Sequence, residues 1–422
     1  MMRFIVCCAA VATLAASGPA FATTDFEVGP RLLDSTGLAG DTLGFSIAGL
    51  PVSDGSQLAA AGALGGYVAI LKRQTGQTQF TISQRTSSGV ADDSYGLSVA
   101  LGGVDGEYLA VGAPGDDAFG NNAGRVYLLR RTSTATDYLP LATLDPPAPA
   151  VTANFGTAVA IADDGSFLVV GEPKGRSGGI EVGLVHIYPL NGASVGLPMT
   201  QVGALGMEAR FGQSVATHGT RVVVGAPLAD DPMMLADTGA IQVLTITAGI
   251  PSPDGPALFA ADRAAEDRLG LSVDIEGDVL IAGAGNDDKL AGGDAGSAYV
   301  FRRVGGNWQE EDKLRSISAQ AQERFGQSVA LNGDLAMVGA YCLNVSGCVG
   351  PGAVYLFAHA AGSWTGKQPL GAADANSFGH AVAWTGTDSM VIGAFGTDAT
   401  FQDQGAVYAA FPTDQLLVDG FE

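Results

Sequence analysis

One pattern recurs along this chain and restricts its possible folds more than any other feature. A glycine that follows an aromatic residue or leucine marks each copy, and a Gly-Ala pair or a variant of it comes shortly afterwards. Near-constant spacing of about 50 residues is typical of repeat architectures. The marker glycines are Gly44, Gly96, Gly156, Gly212, Gly270, Gly326 and Gly379, with gaps of 52, 60, 56, 58, 56 and 53 residues.

The clearest copy runs from Trp308 to Phe357 and contains four short apolar runs. They read WQEEDKL, FGQSVAL, LAMVGA and AVYLF, and Gly, Asn or Asp residues bound them. Such runs predict β-strands, and their close succession predicts a four-stranded antiparallel meander. One meander cannot bury both of its faces alone, so copies must stack on each other. Seven copies predict an all-β fold, a seven-bladed β-propeller with four-stranded blades.

The two ends of the repeat array complement each other. Asp25–Leu33 resembles an outer strand that has no other strands of its own, whereas the seventh repeat lacks its outer strand. We therefore predict that Phe26–Leu33 pairs beside Ala406–Phe411 in the last blade. This pairing closes the ring and removes two exposed sheet edges. Residues 23–411 then form one propeller domain, and residues 412–422 form a C-terminal tail.

The first 22 residues have the pattern of a secretory signal. Arg3 precedes an apolar run, and Ala20-Phe21-Ala22 has the small-x-small form of a cleavage site. We expect cleavage near Ala22–Thr23 and a secreted protein, with an N-terminal membrane anchor as the alternative. The rest of the chain has no apolar stretch long enough to cross a bilayer. It keeps two cysteines, Cys342 and Cys348, which we expect to form a disulfide in an exported protein, with metal binding as the alternative.

The repeat motif resembles that of a known family. FGQSVA at Phe211–Ala216, followed by VVVGAP at Val222–Pro227, is similar to the FG-GAP repeat of the integrin α-subunit head and of many secreted bacterial proteins. The resemblance extends from about Phe26 to Phe411. It implies a propeller whose ligand-binding face carries the loops between the second and third strands.

The same family often binds calcium through a loop between its first two strands. Here these connections, for example IADDGSF and LNGD, lack three alternating oxygen ligands. The chain therefore resembles the shorter bacterial variant, and we expect no cofactor. Two other sets of oxygen ligands for Ca²⁺ stay open on the opposite side of the blades, with ordinary turn hydrogen bonding as the alternative. They are Asn286, Asp287 and Asp288 with Asp294, and Asp116 with Asp117.

The charge balance excludes some partners and favours others. The chain has 43 acidic and 21 basic residues, a net charge of −22, which argues against nucleic acid and anionic membranes. Acidic residues concentrate in the loops between second and third strands, whereas Arg130-Arg131 and Arg302-Arg303 fall at the other end. We expect an electrically polarised molecule that binds a protein or glycan through its acidic face. The candidate binding residues are Asp116, Asp117, Asp230, Asp231, Asp287, Asp288, Tyr341 and Asp398.

No catalytic residue is assigned from the sequence. A serine recurs two residues after the marker glycine, at Ser46, Ser98, Ser214, Ser272 and Ser328, which indicates packing or a backbone hydrogen bond. A nucleophile would occur once, and no G-x-S-x-G motif is present. The alternative to a binding module is a secreted glycan lyase or hydrolase at the channel mouth. It would use unrepeated residues such as Glu172, Tyr341 and His380, and it should break the repeat in adjacent blades.

Overall fold

The structure is a computed structural model that describes residues 25–413, except 36, 78, 91–92, 234, 288–294, 318–321, 342–351, 368 and 399–401. Within these residues the regular secondary structure is β-strand. In this part of the chain no helix has the length and apolarity needed to cross a membrane. The proposed signal segment, most of the tail, and Cys342 and Cys348 lie outside the described residues.

The strands form seven antiparallel blades in a ring, as the repeats predict. In blades 1, 2, 4, 5 and 6 the four strands follow chain order from the channel outwards. Their bounds are Ser46–Pro51, Gln57–Ala63, Tyr67–Arg73 and Thr81–Ser87 in blade 1; Ser98–Gly102, Tyr108–Ala113, Arg125–Arg130 and Leu139–Leu144 in blade 2; Ser214–His218, Arg221–Ala226, Ala240–Thr247 and Ile250–Pro253 in blade 4; Ser272–Glu276, Val279–Ala284, Ser297–Val304 and Asn307–Leu314 in blade 5; and Ser328–Asn332, Leu335–Ala340, Ala353–Ala360 and Ser363–Gly366 in blade 6.

Blades 3 and 7 depart from this simple order. Blade 3 pairs two short segments with its third strand and carries a small separate hairpin between its second and third strands. Its strands are Ala158–Ile161, Phe167–Glu172, Leu184–Asn191, Ser194–Val195 and Met199–Val202, and the hairpin strands are Arg176–Ser177 and Ile180–Glu181. Blade 7 contains Phe378–Gly386, Ser389–Ala394, Ala406–Pro412 and, as its outer strand, Phe26–Leu32.

The predicted closure of the ring is confirmed. Phe26 lies opposite Pro412 and Leu32 lies opposite Val407, with a bulge after Val28. A hydrophobic cluster also joins blade 7 to blade 1, through residues that include Val391. Comparable clusters fill the other six junctions, so the core is divided into layers between neighbouring blades.

One strand boundary differs from the sequence prediction. The run Phe325–Leu331 reads as a strand, but the strand begins at Ser328. Arg324 and Gly326 have φ angles of 50° and 94°, which belong to a turn and not to an extended chain. In blade 6 the marker glycine Gly326 therefore directs the chain into the inner strand and is not part of it.

The recurrent glycines allow the blades to approach each other. A Cβ atom added to Gly283, in the Gly-Ala pair of blade 5, would overlap the carbonyl oxygen of Gly326 in blade 6. The same overlap occurs between Gly393 of blade 7 and Gly44 of blade 1. Only glycine fits where two backbones meet so closely. The inner strands of all seven blades then enclose a central channel of about 470 Å³.

The recurrent serines form the backbone hydrogen bond that their repetition indicates. Each hydroxyl donates across a junction to the carbonyl oxygen of the marker glycine in the next blade, at 2.7–2.8 Å. Ala158 and Ala381 occupy this position in blades 3 and 7. Five junctions therefore share a polar contact that two junctions lack.

Candidate ligand-binding face

The loops between second and third strands lie beside the segments that connect one blade to the next. The Thr42 N–H, just before blade 1, donates to the carbonyl of Asp403 in the loop of blade 7 at 3.0 Å. The Arg268 N–H, just before blade 5, donates to Asp237 in the loop of blade 4 at 3.1 Å. These loops and connecting segments together form one side of the ring, which we call the loop face.

Two of the predicted binding aspartates are used inside their own loops. Asp116 and Asp231 are each 3% exposed. The Asp116 carboxylate accepts hydrogen bonds from the Ala118 N–H at 2.9 Å and the Tyr127 hydroxyl at 3.2 Å. Asp231 accepts two N–H groups of its loop at 2.9 and 2.8 Å and the Arg263 Nε at 2.9 Å. Both side chains shape the loop face from beneath it.

Three other predicted aspartates have exposed carboxylates. Asp117, Asp230 and Asp398 each accept one backbone N–H from a residue five to seven positions further along, at 2.7, 3.1 and 2.8 Å. Such bonds fix the shape of a loop. The remaining carboxylate surface faces solvent and gives the loop face its negative charge.

The candidate cation site is only partly described. Asn286 lies on a half-buried turn, and the adjacent Asp287 is 2% exposed. The Asp287 carboxylate accepts a hydrogen bond from the Tyr299 hydroxyl at 2.8 Å and forms an ion pair with Lys313. An ammonium group therefore already neutralises this carboxylate. Asp288 and Asp294 lie outside the described residues, within which no three acidic, His or Cys side chains are grouped to hold a metal ion.

Glu172, which breaks the Gly-Ala rule, lies in a buried polar chain in blade 3. Its carboxylate is 2.6 Å from His186 Nε2, and His186 Nδ1 is 2.9 Å from the hydroxyl of Thr200. In blade 6 the position of His186 is taken by Tyr355, whose hydroxyl donates to Glu323. Glu172 and His186 are thus a buried variant of a repeated contact between a third-strand aromatic residue and a carboxylate.

Tyr341 and His380 belong to a group of rings at the channel mouth, which we call the aromatic cluster. It comprises Phe45, Tyr341, His380 and Phe395 from blades 1, 6 and 7. The His380 ring lies 4.5 Å from Phe45, 4.6 Å from Phe395 and 4.8 Å from Tyr341, between ring centroids. These distances are typical of packed aromatic pairs. The side chains of Phe45, His380 and Phe395 keep partial exposure, whereas Tyr341 is 6% exposed.

The aromatic cluster breaks the repeat in three adjacent blades. Tyr341 and Phe395 directly follow their Gly-Ala pairs, where the other blades have Leu64, Pro114, Pro173, Pro227 and Gly285. Phe45 and His380 directly follow their marker glycines, where the other blades have Leu97, Thr157, Gln213, Leu271 and Gln327. Sequence reasoning named Tyr341 and His380 as separate candidates but missed Phe45. Aligning the residue after each marker glycine would have identified it.

His380 is held in one protonation state. Its Nδ1 donates to the carbonyl oxygen of Phe45 at 2.9 Å. Burial lowers the pKa of His380 to about 4, although the hydrogen bond to Phe45 acts in the opposite direction. The imidazole is therefore neutral at pH 7 with its proton on Nδ1. Nε2 has an available lone pair and no hydrogen-bond partner among the described residues.

The channel wall carries acidic groups. Asp274 lies on the inner strand of blade 5, where its carboxylate accepts the N–H groups of Leu331 at 2.7 Å and Ile275 at 2.8 Å. Burial raises the pKa of Asp274 to about 7, and the charges of Glu276 and Asp163 contribute in the same direction. The Asp274 side chain thus holds the inner strand of blade 6 and titrates near neutral pH.

The predicted electrical polarity holds only in part. On the side opposite the loop face, Arg130 is paired with Glu107 at 2.6 Å and Arg303 with Asp254 at 3.0 Å. The loop face, by contrast, carries arginines directly before the marker motif of three successive blades, a recurrence that sequence reasoning missed. These residues are Arg210, Arg268 and Arg324.

The fold and the loop face define a closed propeller built from repeats with phenylalanine-glycine and glycine-alanine landmarks. The FG-GAP repeat family matches residues 86–129, 207–244, 256–301, 308–357 and 364–411, which together make up more than half of the chain. The chain belongs to this family. The matched ranges correspond to blades 2 and 4–7, whereas most of blades 1 and 3 lies outside them. A search of curated proteins gives no match.

Proposed function

We propose that this protein is a secreted, non-enzymatic binding module that holds a protein or glycan ligand on its loop face. The observation that carries the proposal is the aromatic cluster. Aromatic rings replace smaller repeat residues in three adjacent blades, at a place where the ring architecture does not require them. Three of the four rings keep partial exposure, and partly exposed aromatic side chains are typical of binding anchors. Secretion is supported by the N-terminal signal pattern and by the family, whose repeats are typical of extracellular proteins.

The test replaces rings of the aromatic cluster with the residue that the repeat has at the same position in other blades. Phe395→Pro and Tyr341→Pro introduce the proline that follows the Gly-Ala pair, or its Gly-Glu variant, in blades 2–4, so we expect the fold to persist. Wild-type protein is first screened on a glycan and protein array with and without EDTA. We expect each variant to weaken binding to the captured ligand by more than tenfold, because truncation of a central anchor commonly costs about 2 kcal/mol.

A matched control separates a specific anchor from any exposed ring. Phe119 is 46% exposed on the loop of blade 2, outside the aromatic cluster, and Phe119→Ala should leave affinity unchanged. Folding of all variants is checked by their thermal melts. Equal binding by wild type and both proline variants would refute the aromatic cluster as the binding centre.

One observation favours a second function, a glycan lyase or hydrolase. The neutral His380 ring packs against Tyr341, and its Nε2 has no hydrogen-bond partner among the described residues; such a nitrogen is able to accept a proton. We therefore propose that turnover be measured on every polysaccharide that the array captures, with His380→Gln as the comparison. Chain shortening by wild type that His380→Gln abolishes would replace the binding-module proposal with the enzyme.

A further inference from the structure

A second feature of the loop face lies away from the aromatic cluster, between blades 4 and 5. It is an open cleft of about 350 Å³, large enough for one small chemical group of a larger ligand. Two arginines, an amide and a carboxylate line it together with apolar side chains. The lining includes Arg210, Gln213, Pro227, Asp237, Arg268 and Leu271.

The arginines of this cleft form no ion pair in the described part of the chain, although Asp237 also lines the cleft. This holds for Arg210 and Arg268 even though acidic residues outnumber basic ones by 43 to 21 in the chain. The Nε of Arg268 is buried and has no hydrogen-bond partner in the part of the chain that the structure describes. A buried donor without an acceptor is costly to keep. A ligand oxygen would satisfy it.

The backbone does not explain why arginine occupies these positions. Arg210 and Arg268 have φ angles of 57° and 58°, a left-handed conformation that favours Asn or Gly. Blade 3 has Asn154 at the equivalent position, with the same φ of 58°. The ring therefore tolerates a residue better suited to this conformation. Arginine therefore occupies both positions against local backbone preference, which points to a role for the guanidinium groups.

We propose that this cleft binds the carboxylate of a uronic acid residue in an acidic saccharide. The guanidinium fork matches a carboxylate in geometry and charge. Asp237 and Gln213 lie beside the arginines, and their acceptor and donor atoms suit the hydroxyl groups that flank a uronate carboxylate. The carboxylate of Asp237 disfavours a dianionic phosphate, and an acidic peptide side chain brings no adjacent hydroxyl groups. This site is separate from the aromatic cluster, so the inference goes beyond the proposed function.

The test measures binding of trigalacturonate by calorimetry at low salt. We expect Arg210→Asn and Arg268→Asn to weaken the affinity by roughly 10- to 100-fold, the usual effect of losing a charged hydrogen bond. Because Asn suits the left-handed backbone, the melting temperature of both variants should equal or exceed that of wild type. Rising salt should weaken wild-type binding, since the charges are near solvent.

Two controls accompany this test: a variant that removes one positive charge outside the cleft, and a neutral saccharide of the same length. Arg176 lies on the exposed hairpin of blade 3, on the same face. Arg176→Gln removes one positive charge there and should leave the affinity for trigalacturonate unchanged. Galactotriose, the neutral counterpart of the probe, should bind at least tenfold more weakly than trigalacturonate.

Other results would overturn the assignment. These are no binding of trigalacturonate by wild type, equal affinity for galactotriose, full affinity in both asparagine variants, or tighter binding of triglutamate, which would indicate a peptide ligand instead. Phe395→Pro separates this inference from the proposed function. It should leave trigalacturonate affinity intact, and a loss there with full affinity in Arg268→Asn would place the saccharide at the aromatic cluster.

Discussion

The junction between blades 5 and 6 and the junction between blades 7 and 1 solve the same packing problem with different polar groups. At the first, the Ser272 hydroxyl donates to the carbonyl of Gly326 at 2.8 Å, and Asp274 accepts the N–H of Leu331 at 2.7 Å. Both bonds run from the inner strand of one blade to the backbone of the next.

At the junction of blades 7 and 1, alanine replaces the serine at position 381. The bond to the next blade is made one residue earlier, from His380 Nδ1 to the carbonyl of Phe45 at 2.9 Å. Near the other end of the same strand, the buried Thr385 hydroxyl donates to the Gln57 side chain at 3.0 Å. A bulge between Phe378 and Ala381 accompanies this change.

The comparison separates the steric part of the repeat from its polar part. The glycine contact is the same at both junctions, because two backbones meet there and no side chain fits. The hydrogen bonds across the junction differ, and where they differ the aromatic cluster is found. A repeat position that serves only to hold neighbouring blades is thus free to change once another group takes over the bond.

The largest expected loss of stability comes from breaking the junction that closes the ring. Deleting Asp25–Leu33 from the protein should lower the free energy of unfolding by at least about 3 kcal/mol, because the part-buried Phe26 and Val28 leave a core cluster and blade 7 loses its outer strand. Thermal melting measures this. Removing residues 414–422 instead shortens the chain equally and serves as the control. A deletion variant that melts with wild type would contradict closure by this strand.

A smaller effect should appear on acidification. The pKa of His380 is lowered from 6.5 to about 4 in the folded protein, so the unfolded chain takes up the proton first as pH falls. His380 therefore reduces stability progressively between pH 6.5 and about 4.

Asp274 acts in the opposite direction. Its pKa is raised from 3.8 to about 7, so the folded state takes up the proton first and gains stability as pH falls from about 7 to 3.8.

The two residues therefore compensate each other, and substitution should reveal it. Compared with wild type, His380→Gln should lose less stability between pH 7 and pH 4, and Asp274→Asn should lose more. Melting temperatures recorded across that range for the three proteins provide the measurement. Parallel curves of melting temperature against pH for all three proteins would show that His380 and Asp274 do not titrate as their burial indicates.

The steric part of the repeat could be read from the sequence, because each close backbone contact requires one residue type and glycine marks it. Gly283 and Gly393 thus identified the blades, and the incomplete end repeats predicted the pairing of Phe26–Leu32. The aromatic cluster could not be read in the same way. Phe45 and His380 lie 335 positions apart, and they meet only because the ring closes.

The polar partners were also hidden from sequence reasoning. Glu172 was noted as an unrepeated residue, but its contact with His186 depends on the register between two strands. The arginines of the cleft between blades 4 and 5 were overlooked because Arg210 and Arg268 precede the marker motif and were counted only as part of the overall charge. Recurrence indicates packing, whereas a site depends on which departures the fold brings together.

The smallest expected changes in stability come from substitutions at the serine position of the junctions. Ser272→Ala should lower the free energy of unfolding by about 1 kcal/mol, because the Gly326 carbonyl loses a donor. Ala158→Ser, at the junction of blades 3 and 4, should give a gain of up to about 1 kcal/mol, since Ala158 lies opposite Gly171 as each repeated serine lies opposite its glycine.

Ala381→Ser is the informative case. Ala381 lies opposite Gly393 in the same way, but it follows the bulge and its neighbour His380 already bonds to blade 1. We expect a gain smaller than that of Ala158→Ser, measured by denaturant unfolding with unchanged slope. A gain as large as at position 158 would show that the closing junction kept the geometry of the other junctions and lost only a hydroxyl. The bond from His380 would then be an addition to that junction and not a replacement for the serine.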